Sequence, residues 1–318
     1  MAEAARADVP LAAAATPPGG VPVTAPRIAR AVADKGWSNL LFLLPFLAVY
    51  VILLIVPLFA GILLSLFKAD LFGVEKFVGL GNFARLTQDS IFQETLINTF
   101  KFVFLTVPVL TFIGLGLALA LNRPTRLSAA LRAIFFSSTV LSVTIVALIW
   151  RMVFIPEGGL LAELRGLFGA EPINFLNNER LALPAIAVAT IWWCIGLPMM
   201  LFLAALQQVP RELYEAAALD NSARWRTLLR ITLPSIRRTV VLVLIIQVIL
   251  QFQIFGQAQL MTLGGPGNSS RPIVLFIYEA AFRRWDLGYA SAAAQVLFAL
   301  ILIFAVGQYR VSQRREER

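Results

Sequence analysis

The sequence contains no histidine and only one cysteine. Without histidine, the chain lacks the commonest metal ligand and the commonest general base near neutral pH. A single cysteine excludes an intrachain disulfide and a cysteine-based metal cluster. Cys194 stands between Trp193 and Ile195 in an apolar run, so we expect it to be a small buried hydrophobe. The Gly-x-x-x-x-Gly-Lys-Ser/Thr loop that cradles nucleotide phosphates is also missing.

Charge is scarce as well. Of the 318 residues, 14% are charged and 59% are hydrophobic, against roughly 25% and 45–50% in a typical soluble domain. A mean hydropathy of +0.79 indicates that lipid surrounds much of the chain. The net charge of +9 does not indicate nucleic-acid binding, because the basic residues stand at the ends of apolar segments, as membrane topology requires.

Six apolar stretches are each long enough to cross about 30 Å of hydrocarbon as a helix. None of them contains Asp, Glu, Lys or Arg, and the alternating strands of a membrane barrel are not seen. Backbone groups in lipid must be satisfied internally, which favours helices. The sequence therefore predicts an all-α polytopic membrane protein with six transmembrane helices, at Asn39–Phe67, Phe102–Leu121, Ala133–Trp150, Leu181–Leu206, Thr239–Thr262 and Leu287–Gln308.

An even number of spans places both termini on one side, and 17 of the 27 basic residues then lie on that side. This bias predicts cytoplasmic termini. Residues 1–36, rich in Ala, Pro and Gly, are expected to form a disordered cytoplasmic arm and not a cleaved signal peptide. The transmembrane domain spans residues 37–310, and a basic cytoplasmic tail follows at 311–318. On the outer side we expect an amphipathic segment at 160–168 and a short surface helix from Gly79.

The cytoplasmic loop at 207–238 is polar and basic, yet it has helix signals. Pro210 and Glu212 suit a helix start, and the Asp220–Ser222 stretch interrupts the helix. A second helix is predicted from about Ala223 to Ile231, stopping near Pro234. A protruding pair of helices with small alanines would allow close approach of another protein. A solvated amphipathic linker explains the same residues.

The stretch Glu215-Ala216-Ala217, then Asp220, and later Ile231-Thr232-Leu233-Pro234, resembles the EAA coupling segment of permease subunits in binding-protein-dependent ABC importers. The resemblance implies the type I importer permease fold and coupling helices that sit in a cleft on a separate ATPase. It also implies that Glu215 pairs with a basic residue of that ATPase. The family glycine is Asn221 here, and Asn tolerates positive φ, so we expect the turn to survive. The implied ATPase-coupling residues are Glu215, Ala216, Ala217, Asp220, Asn221, Leu233 and Pro234.

Three other segments are similar to the carbohydrate branch of that family: Gly79-Leu80-Gly81-Asn82-Phe83, the stretch from Thr262 to Ser269, and the stretch from Tyr278 to Ala290. This resemblance implies a bacterial inner-membrane complex with a second homologous permease, two ATPase subunits and an extracytoplasmic binding protein. The chain would be no enzyme and would bind no cofactor itself, with ATP and magnesium held by the ATPase.

Other energy sources fit the sequence less well. Proton-coupled carriers generally keep ionisable residues inside the membrane, and the six stretches have none. A passive channel needs a lined pore but no docking loop. A membrane enzyme would need a base, a metal cluster or a buried carboxylate pair.

Glutamines and aromatic residues indicate where a solute could bind. Gln247 and Gln251 lie four apart, on one helix face, although they could equally bond neighbouring helices. Trp192 lies near Gly196 and Pro198, which loosen the helix; it could stack on a sugar or simply pack. With no cation in the spans to bind phosphate, a neutral di- or oligosaccharide is favoured over glycerol 3-phosphate, glycerophosphodiesters or polyols. The resemblance implies substrate contacts at Trp192, Ile195, Gly196, Met199, Gln247, Leu250, Gln251 and Ile254.

Overall fold

The computed structural model describes residues 36–314, so the predictions for the arm at 1–36 and for most of the tail at 311–318 lie outside the described residues. The described residues divide into two units, with the boundary between Pro57 and Leu58. In the first unit, α1 (Gly36–Tyr50) leads into a π-helical turn at Val51–Ile55. The unit boundary falls within the next helix, α2 (Val56–Ser65).

The second unit is mostly helical. Its first elements in chain order are β1 (Phe67–Asp70), β2 (Gly73–Phe77), α3 (Gly81–Gln88), α4 (Ser90–Leu121), α5 (Arg126–Ser137), α6 (Val143–Phe154) and α7 (Leu160–Gly166). They are followed by α8 (Ala182–Cys194), α9 (Gly196–Gln207), α10 (Arg211–Leu219), α11 (Arg224–Thr227), a π-helical turn at Leu228–Thr232 and α12 (Leu233–Ser235). The chain ends with α13 (Arg237–Phe252), α14 (Gly256–Met261), α15 (Ile273–Phe282) and α16 (Leu287–Arg314).

Six candidate spans emerge from the part of the chain that the structure describes. Three are long apolar helices, at Phe42–Ser65, Ser90–Leu121 and Leu287–Ser312. Three are bent helix pairs, with angles of 103° at Arg126–Val140 and Val143–Phe154, 43° at α8 and α9, and 70° at Arg224–Ser235 and Arg237–Phe252. The six-helix prediction is thus confirmed at the level of fold, but the third, fourth and fifth spans are not straight rods.

The sharp bend in the third span has a local cause. Leu141 is extended (φ −66°, ψ 143°), and the Ser142 hydroxyl caps α6 by accepting from the Ile145 N–H at 3.4 Å. Hydroxyl side chains compete with the helix for backbone partners, and Ser137 and Thr139 both donate to carbonyls three residues earlier. The helix boundary here is therefore set by these three hydroxyl residues, which the apolar composition of the stretch concealed.

Several spans begin or end outside the predicted windows, and the added residues include charges, as where α13 begins at Arg237 and α16 continues past Arg310. The α4 helix starts twelve residues earlier than expected, because the Asp89 carboxylate accepts from the N–H groups of Ile91 and Phe92 at 2.9 and 3.2 Å. It therefore includes Glu94 and Lys101, and α6 includes Arg151. The statement that the spans lack charge holds for the predicted windows but not for the observed helices.

Close helix packing supplies the core of this unit. At Gly114 on α4, an added Cβ would lie 3.0 Å from the Pro198 ring and 3.2 Å from the Met199 nitrogen, so only glycine lets α4 and α9 approach this closely. Buried threonines satisfy their own hydroxyls within the helix: Thr99 and Thr106 each donate to a carbonyl four residues earlier, at 2.7 and 2.8 Å. Such internal bonding is what an apolar surrounding demands.

The short elements that connect the spans include one hairpin that the sequence did not predict and two helices that it did. An antiparallel hairpin of β1 and β2 follows the first span, so the all-α expectation misses one small sheet. The short helix expected after Gly79 is α3, and the buried Asn82 at its start donates to the Ser65 and Phe67 carbonyls, both at 2.9 Å. The amphipathic segment expected at 160–168 contains α7, whose Leu160 is exposed.

Candidate docking and translocation sites

The loop at 207–238 folds as the predicted helix pair. Pro210 (φ −56°, ψ 136°) directly precedes α10. Glu212 lies in the first turn, where its carboxylate interacts favourably with the positive end of the helix dipole. The helix ends in two bonds that define a Schellman turn, from the Ser222 N–H to the Ala217 carbonyl at 2.9 Å and from the Asn221 N–H to the Ala218 carbonyl at 3.1 Å.

The residue at the left-handed position of this turn is Asn221, with φ +49°. This is where the coupling segment of the resembled family carries glycine. The Asn221 side chain adds little backbone strain at this position, because Asn is the residue that most readily replaces glycine at positive φ. The expectation that the turn survives the departure from glycine is therefore met by the backbone geometry.

The second arm is longer than predicted. It begins at Arg224, passes through the π-helical turn at Leu228–Thr232 and continues through Pro234 to Ser235. In the π-helical turn the Leu233 N–H reaches back to the Leu228 carbonyl, five residues earlier. We attribute the passage of the helix through Pro234 to this wider turn, since the proline nitrogen has no hydrogen to donate.

The implied coupling residues fall into two groups. Glu215, Ala216, Asp220, Asn221 and Pro234 are exposed, whereas Ala217 is only 6% exposed and packs inside the chain. Leu233 is half-buried. The geometry thus leaves Glu215 and Ala216 free for a partner and makes Ala217 a packing residue of the segment itself.

Sequence reasoning missed two large apolar side chains on this surface. Leu219 at the end of α10 is 85% exposed, and Trp225 on α11 is 68% exposed. Both stand as isolated apolar residues in a polar loop of the sequence, and that pattern could have identified them. Trp in particular is enriched among the residues that dominate binding energy at interfaces. We define Glu215, Ala216, Leu219 and Trp225 as the docking surface.

The residues implied to contact substrate are mostly buried in this chain. Ile195, Met199, Gln247, Gln251 and Ile254 are each at most 5% exposed, whereas Trp192 and Leu250 are 41% and 46% exposed. The side-chain Nε2 of Gln251 donates to the side-chain Oε1 of Gln247 at 3.3 Å, and the Gln247 Nε2 has no hydrogen-bond partner among the described residues. A buried amide without a partner in an apolar region is costly and marks a point where another polar group would be accommodated.

Gly196 lies at a helix contact. An added Cβ would lie 2.8 Å from both the Phe135 carbonyl oxygen and the Phe136 Cα, so this glycine lets the fourth span touch the third. The fourth span does loosen here, as predicted. However, the carbonyls of Trp192 and Trp193 accept from the Ser138 hydroxyl of the third span, at 3.3 and 3.2 Å, and are not both left free.

The aromatic side chains of this region are tied to neighbours. Trp192 packs edge-on against Trp150, with ring centroids 6.0 Å apart. The Trp193 indole donates to the Leu141 carbonyl at 3.0 Å. Of the two tryptophans, Trp192 is the more exposed.

These features define a polytopic helical membrane protein with a pair of polar helices between its fourth and fifth spans. The architecture matches a crystal structure described as a bacterial ABC transporter involved in the import of the acidic polysaccharide alginate, with a TM-score of 0.80 over 91% of this chain and 99% of that chain, at 23% identity. This match shows the type I importer permease fold.

Residues 111–317 match the family described as binding-protein-dependent transport system inner membrane component. The chain is also similar to two curated permeases. It is 33% identical to the diacetylchitobiose uptake system permease protein NgcF of Streptomyces coelicolor, over 91% of this chain and 86% of that protein. It is 31% identical to the trehalose/maltose transport system permease protein MalF of Thermococcus litoralis, over 87% and 94%. The chain belongs to this family and is an inner-membrane permease of a binding-protein-dependent ABC transporter.

Proposed function

We propose that this permease imports a neutral di- or oligosaccharide that an external binding protein delivers. The names of its relatives support a sugar, since one is a permease for diacetylchitobiose and another for trehalose and maltose. The predicted windows contain no cation, but the observed helices α4 and α6 include Lys101 and Arg151. Both are exposed, however, and the buried polar groups of the fifth span are neutral glutamines.

The energy for uptake would come from two copies of a separate ATPase, which would hold ATP and magnesium. The observation that carries this proposal is the docking surface: α10, which ends in a complete Schellman turn, presents Glu215 one turn before the exposed Leu219, and the next helix exposes Trp225. A solvated linker would not require two large apolar side chains at its tip. A second, homologous permease would complete the membrane part, and the basic loops favour cytoplasmic termini.

Glu215→Ala tests the docking role directly. In proteoliposomes holding the assembled transporter, we expect substrate-stimulated ATP hydrolysis and uptake to be lost while membrane insertion remains normal. Glu212→Ala, on the same helix, is the matched control and should keep both activities. Unchanged uptake by the Glu215 variant would refute the docking role.

ATP depletion separates the importer from the passive channel. Proteoliposomes without ATP should show no substrate flux, and continued flux would favour a channel. A thermal-shift screen of the associated binding protein against maltose, diacetylchitobiose, glycerol 3-phosphate and a polyol identifies the substrate class. Stabilisation by a phosphate-containing ligand alone would overturn the proposal of a neutral sugar.

A further inference from the structure

A basic cavity of about 520 Å³ lies beside the root of the docking segment. It forms where α4 ends at Leu121, where α9 ends at Gln207 and where α10 begins at Arg211. Three arginines from three different elements line it, with amide and hydroxyl groups between them and no carboxylate in the lining. The polar lining residues are Asn122, Arg123, Arg132, Gln207, Arg211 and Tyr214.

The three arginines carry unbalanced positive charge. Arg123 and Arg211 are exposed, and Arg132 is half-buried with its Nε–H donated to the Ser128 carbonyl at 3.1 Å. Within the described part of the chain, none of the three forms an ion pair with a carboxylate. Like charges around one cavity repel each other, so a bound anion would stabilise the arrangement.

The lining chemistry fits a phosphate group. Guanidinium groups bind phosphate oxygens through paired N–H donors, and the amides of Asn122 and Gln207 add further donors. A cavity of this volume lies within the range of small-ligand sites. The phosphate could belong to a soluble ion or to a lipid headgroup, and the position of the cavity decides between them.

The cavity lies where two apolar spans end, at Leu121 and Gln207, and in the proposed orientation those ends meet the headgroup region of the inner leaflet. Basic pockets on the cytoplasmic side of membrane helices suit anionic headgroups. We propose that this cavity binds the phosphate of an anionic phospholipid from the inner leaflet. The orientation used here rests on the proposed function.

A lipid in this position would act on the docking segment. Arg211 and Tyr214 belong to α10, and the Tyr214 hydroxyl donates to the Thr232 hydroxyl at 3.3 Å, which links α10 to the second arm. The same ligand would contact Arg123 and Arg132 on the membrane side. The lipid therefore braces the docking segment against the inner ends of the spans, and ATPase coupling should depend on anionic lipid.

The test uses the assembled transporter, purified and placed in nanodiscs of phosphatidylcholine alone or with phosphatidylglycerol. Native mass spectrometry counts the retained phosphatidylglycerol, without transport or ATP. We expect the Arg123→Gln/Arg132→Gln variant to bind phosphatidylglycerol roughly 30-fold more weakly than the unmodified transporter, from the loss of two cationic contacts. Arg310→Gln, on the exposed inner end of α16, is the control and should retain the lipid.

Further measurements make each outcome decisive. Arg123→Lys/Arg132→Lys should restore much of the retention, which distinguishes lost charge from misfolding. Inorganic phosphate should fail to displace the lipid; displacement together with full coupling in phosphatidylcholine alone would show that free phosphate is the ligand. Unchanged lipid retention with loss of ATPase subunits would show that the arginines bind protein carboxylates, and would overturn the proposal. Because retention is read without sugar, failure of the proposed substrate leaves this test intact.

Discussion

The hydroxyl of Tyr289 donates a 2.7 Å hydrogen bond to the carboxylate of Asp89, two hundred residues away in the sequence. Asp89 also caps α4, so this one carboxylate fixes the start of the second span and joins it to the start of the sixth. Arg85 joins these residues: its guanidinium carbon lies 4.4 Å from the centroid of the Tyr289 ring, and its guanidinium pairs with the Asp286 carboxylate at 3.0 Å.

Tyr289→Phe removes only the hydroxyl and should destabilise the transporter by about 1 kcal/mol, since the bond to a charged acceptor is partly screened by water. Thermal unfolding of the purified transporter measures this loss. Tyr278→Phe, a second tyrosine on the outer side, is the control. An equal loss in both variants would mean that the Asp89 bond contributes nothing of its own.

Stability should also depend on pH through Asp89. Burial acts to raise the pKa of this carboxyl, but the hydrogen bonds from Tyr289 and from the N–H groups of Phe92 and Ile91 outweigh burial and lower the pKa below 3.8. The contribution is therefore present above the unfolded-state pKa and is lost as the pH falls through the lower folded-state pKa. Asp89→Asn should flatten the acid limb of a stability profile measured below about pH 4. An unchanged acid limb would contradict this assignment.

The turn at Asn221 gives a prediction about the docking segment. Asn221→Gly should leave coupling unchanged, because both residues accept positive φ. Asn221→Val should cost about 1–2 kcal/mol in this backbone conformation and should reduce substrate-stimulated ATP hydrolysis. Normal coupling in the valine variant would show that the turn geometry is not required.

The exposed apolar residues of the docking surface should carry much of the ATPase binding. We expect Leu219→Ala and Trp225→Ala each to weaken ATPase association by about 2 kcal/mol, roughly 30-fold, as central interface residues do. Association is measured by titrating the ATPase onto detergent-purified permease complex. Phe168→Ala, an 87% exposed position on the outer side, is the control. Full affinity in both docking variants would place the ATPase elsewhere.

Gly196 tests the contact between the third and fourth spans. Gly196→Ala places a Cβ 2.8 Å from backbone atoms of Phe135 and Phe136, so the two spans must separate. We expect a loss of about 1–3 kcal/mol in stability together with impaired uptake. At Gly116 an added Cβ meets nothing within 4 Å, so Gly116→Ala should gain about 0.5–1 kcal/mol. The prediction fails if the two variants unfold at the same temperature.

The buried glutamines test the proposed translocation path. Gln251→Leu removes the donor to Gln247 and should lower uptake about tenfold while basal ATP hydrolysis remains. Gln253→Leu changes an exposed neighbour and should be near normal. Normal uptake with reduced stability in the Gln251 variant would assign these residues to packing between helices.

The sequence by itself determined the membrane class, the approximate positions of the six spans and the pair of helices with its turn at 207–238. Each depends on chemistry that is local in the chain: long apolar runs, basic residues beside them, and proline, asparagine and glutamate at fixed spacing. Residue composition over a window is enough to detect such features, because solvent transfer and backbone preference act residue by residue.

Only the tertiary structure decided where those elements touch. It placed Gly196 against the third span, buried Ala217 and Gln247, bent three spans and brought Arg211 into one cavity with Arg123 and Arg132. None of these follows from a local pattern, because lipid and protein surroundings are equally apolar and the same hydropathy suits either. Which face of a helix meets a neighbour depends on the shape of both surfaces, and that is settled only when they pack.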